Sequence, residues 1–226
     1  MAHIPYLQSI YPLQGVSAVD IGAGEGTFSR QLAAEGAKVT AIEIDADKVA
    51  WARSHLPADI TVKQGVAEKL PLPDASQDIC CMFFSLHHVP KEAQDTAFAE
   101  ILRVTKPAGR IHIVEPFAYG TMFDVVRFVE DETEVRTHSH AILPQLSARL
   151  PLRLVARTEY TLTRAFDSFD DFAEQIIRID PARMEVFPDV ADEMRAAYEN
   201  AVEEEAGQRV LRQPCAAYHF EVMGSA

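Results

Sequence analysis

The sequence predicts an α/β fold built on a mostly parallel sheet, and three observations predict it. Short apolar runs alternate with amphipathic ones along the chain, a glycine-rich turn follows the first apolar run, and Asp78 to Ser85 is a continuous apolar segment of the kind buried on both faces of a sheet. Taken in order, Val16 to Ile21 is the first strand and Gly22 to Gly26 the turn after it. Thr27 to Glu35 has helical spacing, with Phe28, Leu32 and Ala33 on one side and Gly36 as the stop. Lys38 to Ile44 is the second strand, Asp45 caps a helix over Asp47 to His55, and Ile60 to Gln64 is the third strand. Asp78 to Ser85 is the fourth, followed by a helix from Lys91 to Val104, a turn at Lys106 to Gly109, and a fifth strand from Arg110 to Val114. Beyond it, helical stretches are expected near Met122 to Glu130 and Glu134 to Leu150, then a strand from Arg153 to Thr163. Helices over Ser168 to Arg178 and Val190 to Glu205 precede a last strand at Ala216 to Met223.

Composition bounds the partners. At 226 residues with 48% hydrophobic content the chain can bury a substantial core, and one domain is expected over 1–226. A formal net charge of -13 argues against a basic face for nucleic acid or anionic lipid, so no nucleic-acid partner is expected. No apolar run reaches the length of a membrane span, and no leader pattern opens the chain, so the expectation is a cytoplasmic protein. Cys80, Cys81 and Cys215 give neither a disulfide framework nor a zinc spacing. The acidic runs Glu130 to Glu132 and Glu203 to Glu205 are expected as solvated faces.

In an open parallel sheet a ligand sits beyond the carboxyl ends of the strands. There, Gly22, Gly24 and Gly26 allow positive φ and let a ligand lie against bare backbone at a helix N-terminus. Such a turn suits a nucleotide-like ligand or is merely a tight connection. A dinucleotide fingerprint would place its third glycine at position 27, where Thr27 stands. Two acids sharpen the reading: Asp20 just before the turn, and Glu43 at the end of the second strand. A carboxylate at Glu43 can accept hydrogen bonds from both hydroxyls of a ribose and would repel a 2′-phosphate; the plainer reading is a surface acid at a strand end.

Val19-Asp20-Ile21-Gly22-Ala23-Gly24-Glu25-Gly26 followed by Ala41-Ile42-Glu43-Ile44-Asp45 resembles the first two motifs of class I S-adenosylmethionine-dependent methyltransferases. Gly65 to Asp78 is similar to that family's Gly-Asp-Ala-Glu-x-Leu-Pro-Phe-x-Asp-x-Ser-Phe-Asp stretch. Ser85-Leu86-His87-His88-Val89 and Glu100 to Arg110 resemble its later segments, so the likeness runs from about Val16 to Pro116. It is most similar to the branch containing quinone-biosynthesis and other small-molecule methyltransferases. The resemblance implies a Rossmann-like seven-stranded, mostly parallel sheet with the last strand antiparallel and helices on both faces. It also implies S-adenosylmethionine as cofactor, with Asp20, Gly22 and Gly24 at its methionine part, Glu43 at its ribose and Ala67 at its adenine. Ser85 and Leu86 would stand where sulfonium and acceptor meet. The chain has Val66 where the family commonly has Asp, and Ala108 where it usually has a first of two glycines.

Methyl transfer from a sulfonium is an in-line displacement, so positioning supplies most of the acceleration and no catalytic side chain is obligatory. An oxygen or carbon acceptor would benefit from a base, and His87 and His88 are the candidates; the alternative is that they only pack or bond locally. His138 and His140 lack an evident third ligand, so no metal is assigned. The acceptor is expected to be a small organic molecule. Helical lid elements are expected at 117–132 and 168–213 on the cofactor side. Their Phe117, Tyr119, Met122, Phe123, Phe166, Phe169, Phe172 and Met184 line an acceptor pocket or form the core beneath those helices, and Arg127, Arg178 and Arg183 bind an acidic acceptor or are surface residues. The rival functions are a silent binder of S-adenosylmethionine or its product, and an NAD-linked oxidoreductase.

Overall fold

The computed structural model describes residues 3–177 and 180–224. Its strands are β1 (Ser17–Ile21), β2 (Lys38–Glu43), β3 (Thr61–Gln64), β4 (Gln77–Phe83), β5 (Thr105–Pro116), β6 (Leu152–Phe166), β7 (Glu203–Glu205) and β8 (Gln208–Val222). They form a sheet in the order β3-β2-β1-β4-β5-β8-β6, with β7 paired to β8. The five N-terminal strands are parallel to one another. β8 runs the other way: Arg110 meets Glu221 and His112 meets His219, so a step forward on β5 matches a step back on β8. The sheet is therefore mostly parallel with its last strand reversed, as expected. Chain order runs outward from β1 in one direction and from β4 in the other, so the switch point of the sheet lies between these two strands.

The helices are α1 (His3–Ile10), α2 (Thr27–Ala34), α3 (Ala46–His55), α4 (Gln94–Val104), α5 (Thr121–Val126), α6 (Thr133–Ile142), α7 (Leu146–Arg149), α8 (Phe169–Ile177) and α9 (Pro181–Ala201). They lie on both faces of the sheet, and the adjacent cysteines show it. Cys81 joins Ile4 and Leu7 of α1 and Phe28 and Leu32 of α2 in one buried cluster, whereas the Cys80 thiol points to the carbonyl of Ile101 on α4. Both cysteines are buried core, as alternation along a doubly covered strand requires.

Three differences from expectation have local causes. α1 precedes the first strand: His3, Ile4, Tyr6 and Leu7 are buried, a run too short to give a clear period in sequence. Lys106 to Gly109 is not a turn between elements but a bulge inside β5. Gln77 pairs with Thr105, Ile79 already pairs with Arg110, and Ala108 takes φ 60°. Glu203 to Glu205, expected at the end of a helix, forms β7 instead. Ala206 and Gly207 both have positive φ, the geometry of a two-residue hairpin turn, and Glu203 and Glu205 each pair with Arg212 of β8.

The chain groups into two compact units, one of residues up to Glu115 with Ser139–Thr158 and the segment from Ala216, the other of Pro116–His138 and Glu159–Cys215. The segments 117–132 and 168–213 belong to the second. Its core gathers Met122, Phe166, Phe169 and Phe172 with Met194 and Tyr198, which settles those four aromatic and sulfur side chains as core. Phe123 is likewise buried, while Tyr119 and Met184 are more than half exposed. Arg127 pairs with Asp131 at the surface, and Arg183, largely buried, pairs with Glu130 and donates to the Ile176 carbonyl, so both are engaged within the protein; Arg178 lies outside the described residues.

Candidate functional site

The candidate site lies in the first unit, at the carboxyl ends of β1 and β2 on one side of the switch point and of β4 on the other. β1 ends in Asp20 and Ile21, and the chain then turns through Gly22, Gly24 and Gly26, whose φ values are 74°, 55° and 78°. The first glycine is required by space as well as by angle. A Cβ at Gly22 would stand 2.6 Å from the Cβ of Ser85. At Gly24 a Cβ would meet nothing within 4 Å, so this peptide is bare on the side away from the protein. Gly26 ends the turn as the cap of α2, and no side chain caps that helix. The contrast with α3 is direct: there Asp45 accepts from the amides of Asp47 and Lys48, the capping role expected of it.

Glu43 fixes the turn from the neighbouring strand. Its Oε2 accepts from the Gly24 amide at 2.7 Å and its Oε1 from the Asp45 amide at 2.9 Å. Glu43 is 7% exposed, so these charge-assisted bonds are little diluted by water. Asp20 is 1% exposed and accepts from the Ser29 hydroxyl at 2.6 Å. Burial pushes its pKa up to about 6 against the pull of the Ser29 bonds, and the charge of Glu43 pushes the same way. An under-compensated buried carboxylate beside an open glycine turn favours a ligand that brings positive charge. Ile44, next along from Glu43, is 64% exposed, a large apolar side chain at the mouth of an otherwise polar turn.

The loop after β3 carries Ala67, which is buried. Gly65 donates its amide to the Glu43 carbonyl, and Val66 bridges to Lys69. The rest of the loop is held by Arg103 of α4. Its guanidinium donates to the carbonyls of Leu70 and Leu72 and to the carboxylates of Glu100 and Asp74, while Glu100 accepts from the Leu70 amide. The Leu70 to Asp74 and Glu100 to Arg103 segments, recognisable separately in the sequence, are thus two halves of one framework. Val66 offers no polar side chain to it.

β4 runs out through Phe84, whose φ of 56° is unusual for a bulky residue, into a single 3₁₀ turn over Leu86–His88. Ser85 donates its hydroxyl to the Ile21 carbonyl at 2.6 Å, tying the ends of β1 and β4 together. Leu86 is fully buried, with its amide given to Glu115 and its carbonyl accepting from Val89. Ser85 and Leu86 therefore contribute shape more than polar groups. The two histidines separate. His88 is exposed, and His87 is buried with Nδ1 2.7 Å from Oε2 of Glu115, the rings 4.1 Å apart. Glu115 is itself fully buried at the end of β5. Sequence reasoning missed Ser29, Ile44, Arg103 and Glu115. Ser29 was legible as a small polar residue on the face of α2 otherwise made of Phe28 and Leu32; Glu115 had no local signal, because its partner is 28 residues away.

Comparison with known proteins agrees with this geometry. Residues 19–113 match a family model described as a methyltransferase domain. Over 112 residues the chain is 37% identical to a demethylmenaquinone methyltransferase of Clavibacter sepedonicus, covering 48% of this chain and 44% of that one. Over 110 residues it is 34% identical to a malonyl-(acyl-carrier protein) O-methyltransferase of Pectobacterium atrosepticum, covering 49% and 40%. The match thus spans less than half the length of these curated relatives. Among solved structures, a SAM dependent methyltransferase from Aquifex aeolicus superposes with TM-score 0.59 at 17% identity over 97% of this chain and 89% of that one. The 4+2 cyclase SpnF superposes with TM-score 0.61 at 21% identity over 94% and 77%. Likeness at that level of identity is likeness of fold.

Proposed function

We propose that this chain, whose residues 19–113 match a family model described as a methyltransferase domain, transfers a methyl group from S-adenosylmethionine to a small organic acceptor. The observation that carries the reading is the tether between Glu43 and the Gly24 amide. It holds an open, side-chain-free peptide beside a buried carboxylate at the switch point of a parallel sheet. These residues fit the cofactor: Glu43 keeps lone pairs for ribose hydroxyls, Gly22 and Gly24 leave room for a backbone-hugging chain, and Asp20 favours its ammonium group. Ala67 would line the adenine ring, with exposed Ile44 covering its other face, while Ser85 and Leu86 wall the methyl end. When bound, the cofactor supplies an electrophilic methyl on a sulfonium. The chain's own work is to hold donor and acceptor in line and exclude water, and such orientation contributes about 7–11 kcal/mol. His87 and His88 stand past the end of β4 as the candidate bases. Among the described residues no helix is long and apolar enough to cross a membrane.

Calorimetric titration with S-adenosylhomocysteine, S-adenosylmethionine and NAD tests the donor. Binding of the two sulfur nucleosides without NAD is expected, and binding of NAD alone would remove the reading. Incubation with labelled S-adenosylmethionine and pools of small-molecule acceptors tests the enzyme. Tight cofactor binding with no label transferred would favour a silent binder.

A further inference from the structure

We infer that Ser29 is a positioning residue for the cofactor: through Asp20 it keeps a buried carboxylate charged for the cofactor's ammonium group, and it thereby couples cofactor uptake to release of a proton. This rests on the methyl-transfer reading and assigns a residue and a proton to the donor half of it. Three observations support it. Ser29 stands in the first turn of α2, is 0% exposed and donates its hydroxyl to Oδ2 of Asp20 at 2.6 Å. Its amide pulls on the same carboxylate, and among the described residues no other group donates to it.

The sheet supplies no cation to answer the charge. Asp20 is in register with Ala41 of β2 on one side and Cys81 of β4 on the other. Burial keeps the Cys81 thiol protonated, and the Glu43 carboxylate, the charge that acts on Asp20, has the same sign. On α1, His3 packs against Phe28 and Phe83, and His112 stands one strand beyond Cys81; burial holds both imidazoles neutral. The turn that follows Asp20 is open, with nothing within 4 Å of a Cβ placed at Gly24.

A buried carboxylate with a single donor residue and no cation lies close to the balance between its charged and neutral forms, and burial raises its pKa to about 6. An ammonium group brought against it favours the charged form, so binding at pH 6 should expel about half a proton. Removing the Ser29 hydroxyl removes a bond made to the charged form and moves the midpoint up by about one pH unit. Affinity for a ligand with an ammonium end should fall as pH drops through that midpoint. At pH 5.5 the loss from the high-pH limit is about fourfold in the parent and about thirtyfold in Ser29→Ala.

Calorimetric titration of the full chain between pH 5.5 and 7.5, with S-adenosylhomocysteine and with 5′-methylthioadenosine, tests this. The second ligand has the nucleoside and the sulfur without the amino-acid end. S-adenosylhomocysteine affinity is expected to fall with pH, more steeply in Ser29→Ala, while methylthioadenosine affinity stays flat in both. Heats that vary with the ionisation enthalpy of the buffer are expected for S-adenosylhomocysteine alone. In an Asp20→Asn background Ser29→Ala should change affinity less than twofold, because no charge is left for it to hold. A merely structural Ser29 would lower the melting temperature and weaken both ligands alike with the midpoint unmoved, and that result would overturn the inference. So would an equal pH dependence for the two ligands, or a Ser29→Ala effect undiminished in Asp20→Asn. Should Ser29→Ala not fold, the parent's own proton release still decides, and its absence overturns the coupling. Failure of both ligands to bind overturns the methyl-donor reading itself.

Discussion

Replacing Glu43 by glutamine should be far from conservative. The carboxylate has two oxygens and about four acceptor positions. One oxygen takes the Gly24 amide and the other the Asp45 amide, at 2.7 and 2.9 Å. Glutamine keeps one of those oxygens and puts an NH₂ group where the other was. Whichever way the amide is turned, a donor then faces a backbone donor. One charge-assisted bond is lost, worth about 1.5–3 kcal/mol, and at 7% exposure water replaces it poorly. At about 2–4 °C per kcal/mol for a chain of this size, the melting temperature should fall by roughly 3–12 °C. If the remaining positions bind ribose hydroxyls, the same group is lost to the ligand. Affinity for S-adenosylhomocysteine should then fall about 10–150-fold at 1.4 kcal/mol per decade. Thermal denaturation and calorimetric titration of Glu43→Gln read the two numbers separately. A lowered melting temperature with affinity within twofold of the parent would leave Glu43 as a loop tether and refute its role at the ribose. No change in either would refute the geometry.

Two further perturbations follow. Gly22→Ala and Gly24→Ala should part company. At Gly22 a methyl would collide with the Ser85 Cβ at 2.6 Å, and both stability and cofactor binding should suffer. At Gly24, where nothing lies within 4 Å, the cost to stability should be only about 1 kcal/mol for the positive φ, while cofactor affinity drops at least tenfold; equal melting temperatures for the two variants would contradict this. Acid should destabilise the first unit. His3 and His219 are held neutral by burial, with pKa values lowered to about 4, and His112 lies well below its ordinary range for the same reason, with His3 and His219 adding to it. Their contribution is fully present above about pH 6.5 and is lost as pH falls toward 4, on the order of 3 kcal/mol for His219 alone. Asp20, raised to about 6, has the opposite sign and gains stability as pH falls from 6 to 3.8, but one group offsets only one of the three. Denaturant melts between pH 7.5 and 4.5 should therefore show a falling midpoint, flattened in His219→Gln, and a flat profile in the parent would be inconsistent with three neutral buried imidazoles.

The first half of the fold was legible because local chemistry and tertiary role coincide there. The apolar run of β4 reads as buried on both faces, and Asp45 ahead of the helix reads as its cap more readily than as a ligand contact, which is the role it takes. Gly22, Gly24 and Gly26 after a strand announce positive φ, and the structure has all three there. The second half was less legible because its rules compete. Glu203 to Glu205 has high helix propensity and follows α9, yet the Ala206-Gly207 turn and Arg212 draw it into a hairpin. The Lys106 to Gly109 segment has turn composition, but its ends continue one strand, so the extra residues bulge out of register instead of ending it. There the departure at Ala108 has a physical reading: φ 60° suits glycine, and alanine occupies it at a modest cost.

Within the site, what sequence could and could not show divides by the reach of each interaction. The contacts proposed for the donor fall in two short segments at adjacent strand ends, Asp20 to Gly24 and Glu43, and each segment is a motif by itself. His87 and Glu115 meet only because β4 and β5 are neighbours in register, with Phe83 paired to Val114, and no spacing rule announces that. The same strand ends hold the departures from ordinary preference: Asp20 is buried with its charge only partly met, and Phe84 takes a positive φ that costs about 1–3 kcal/mol. Both flank Gly22, one before it on β1 and one after β4 beside Ser85. A chain optimised for stability alone would have placed an apolar residue at 20 and a glycine at 84. That both costs fall at the switch point, against a well-packed cluster of Ile4, Leu7, Leu32 and Ile79 on the sheet beneath, argues that this corner is shaped for a ligand and for chemistry rather than for folding.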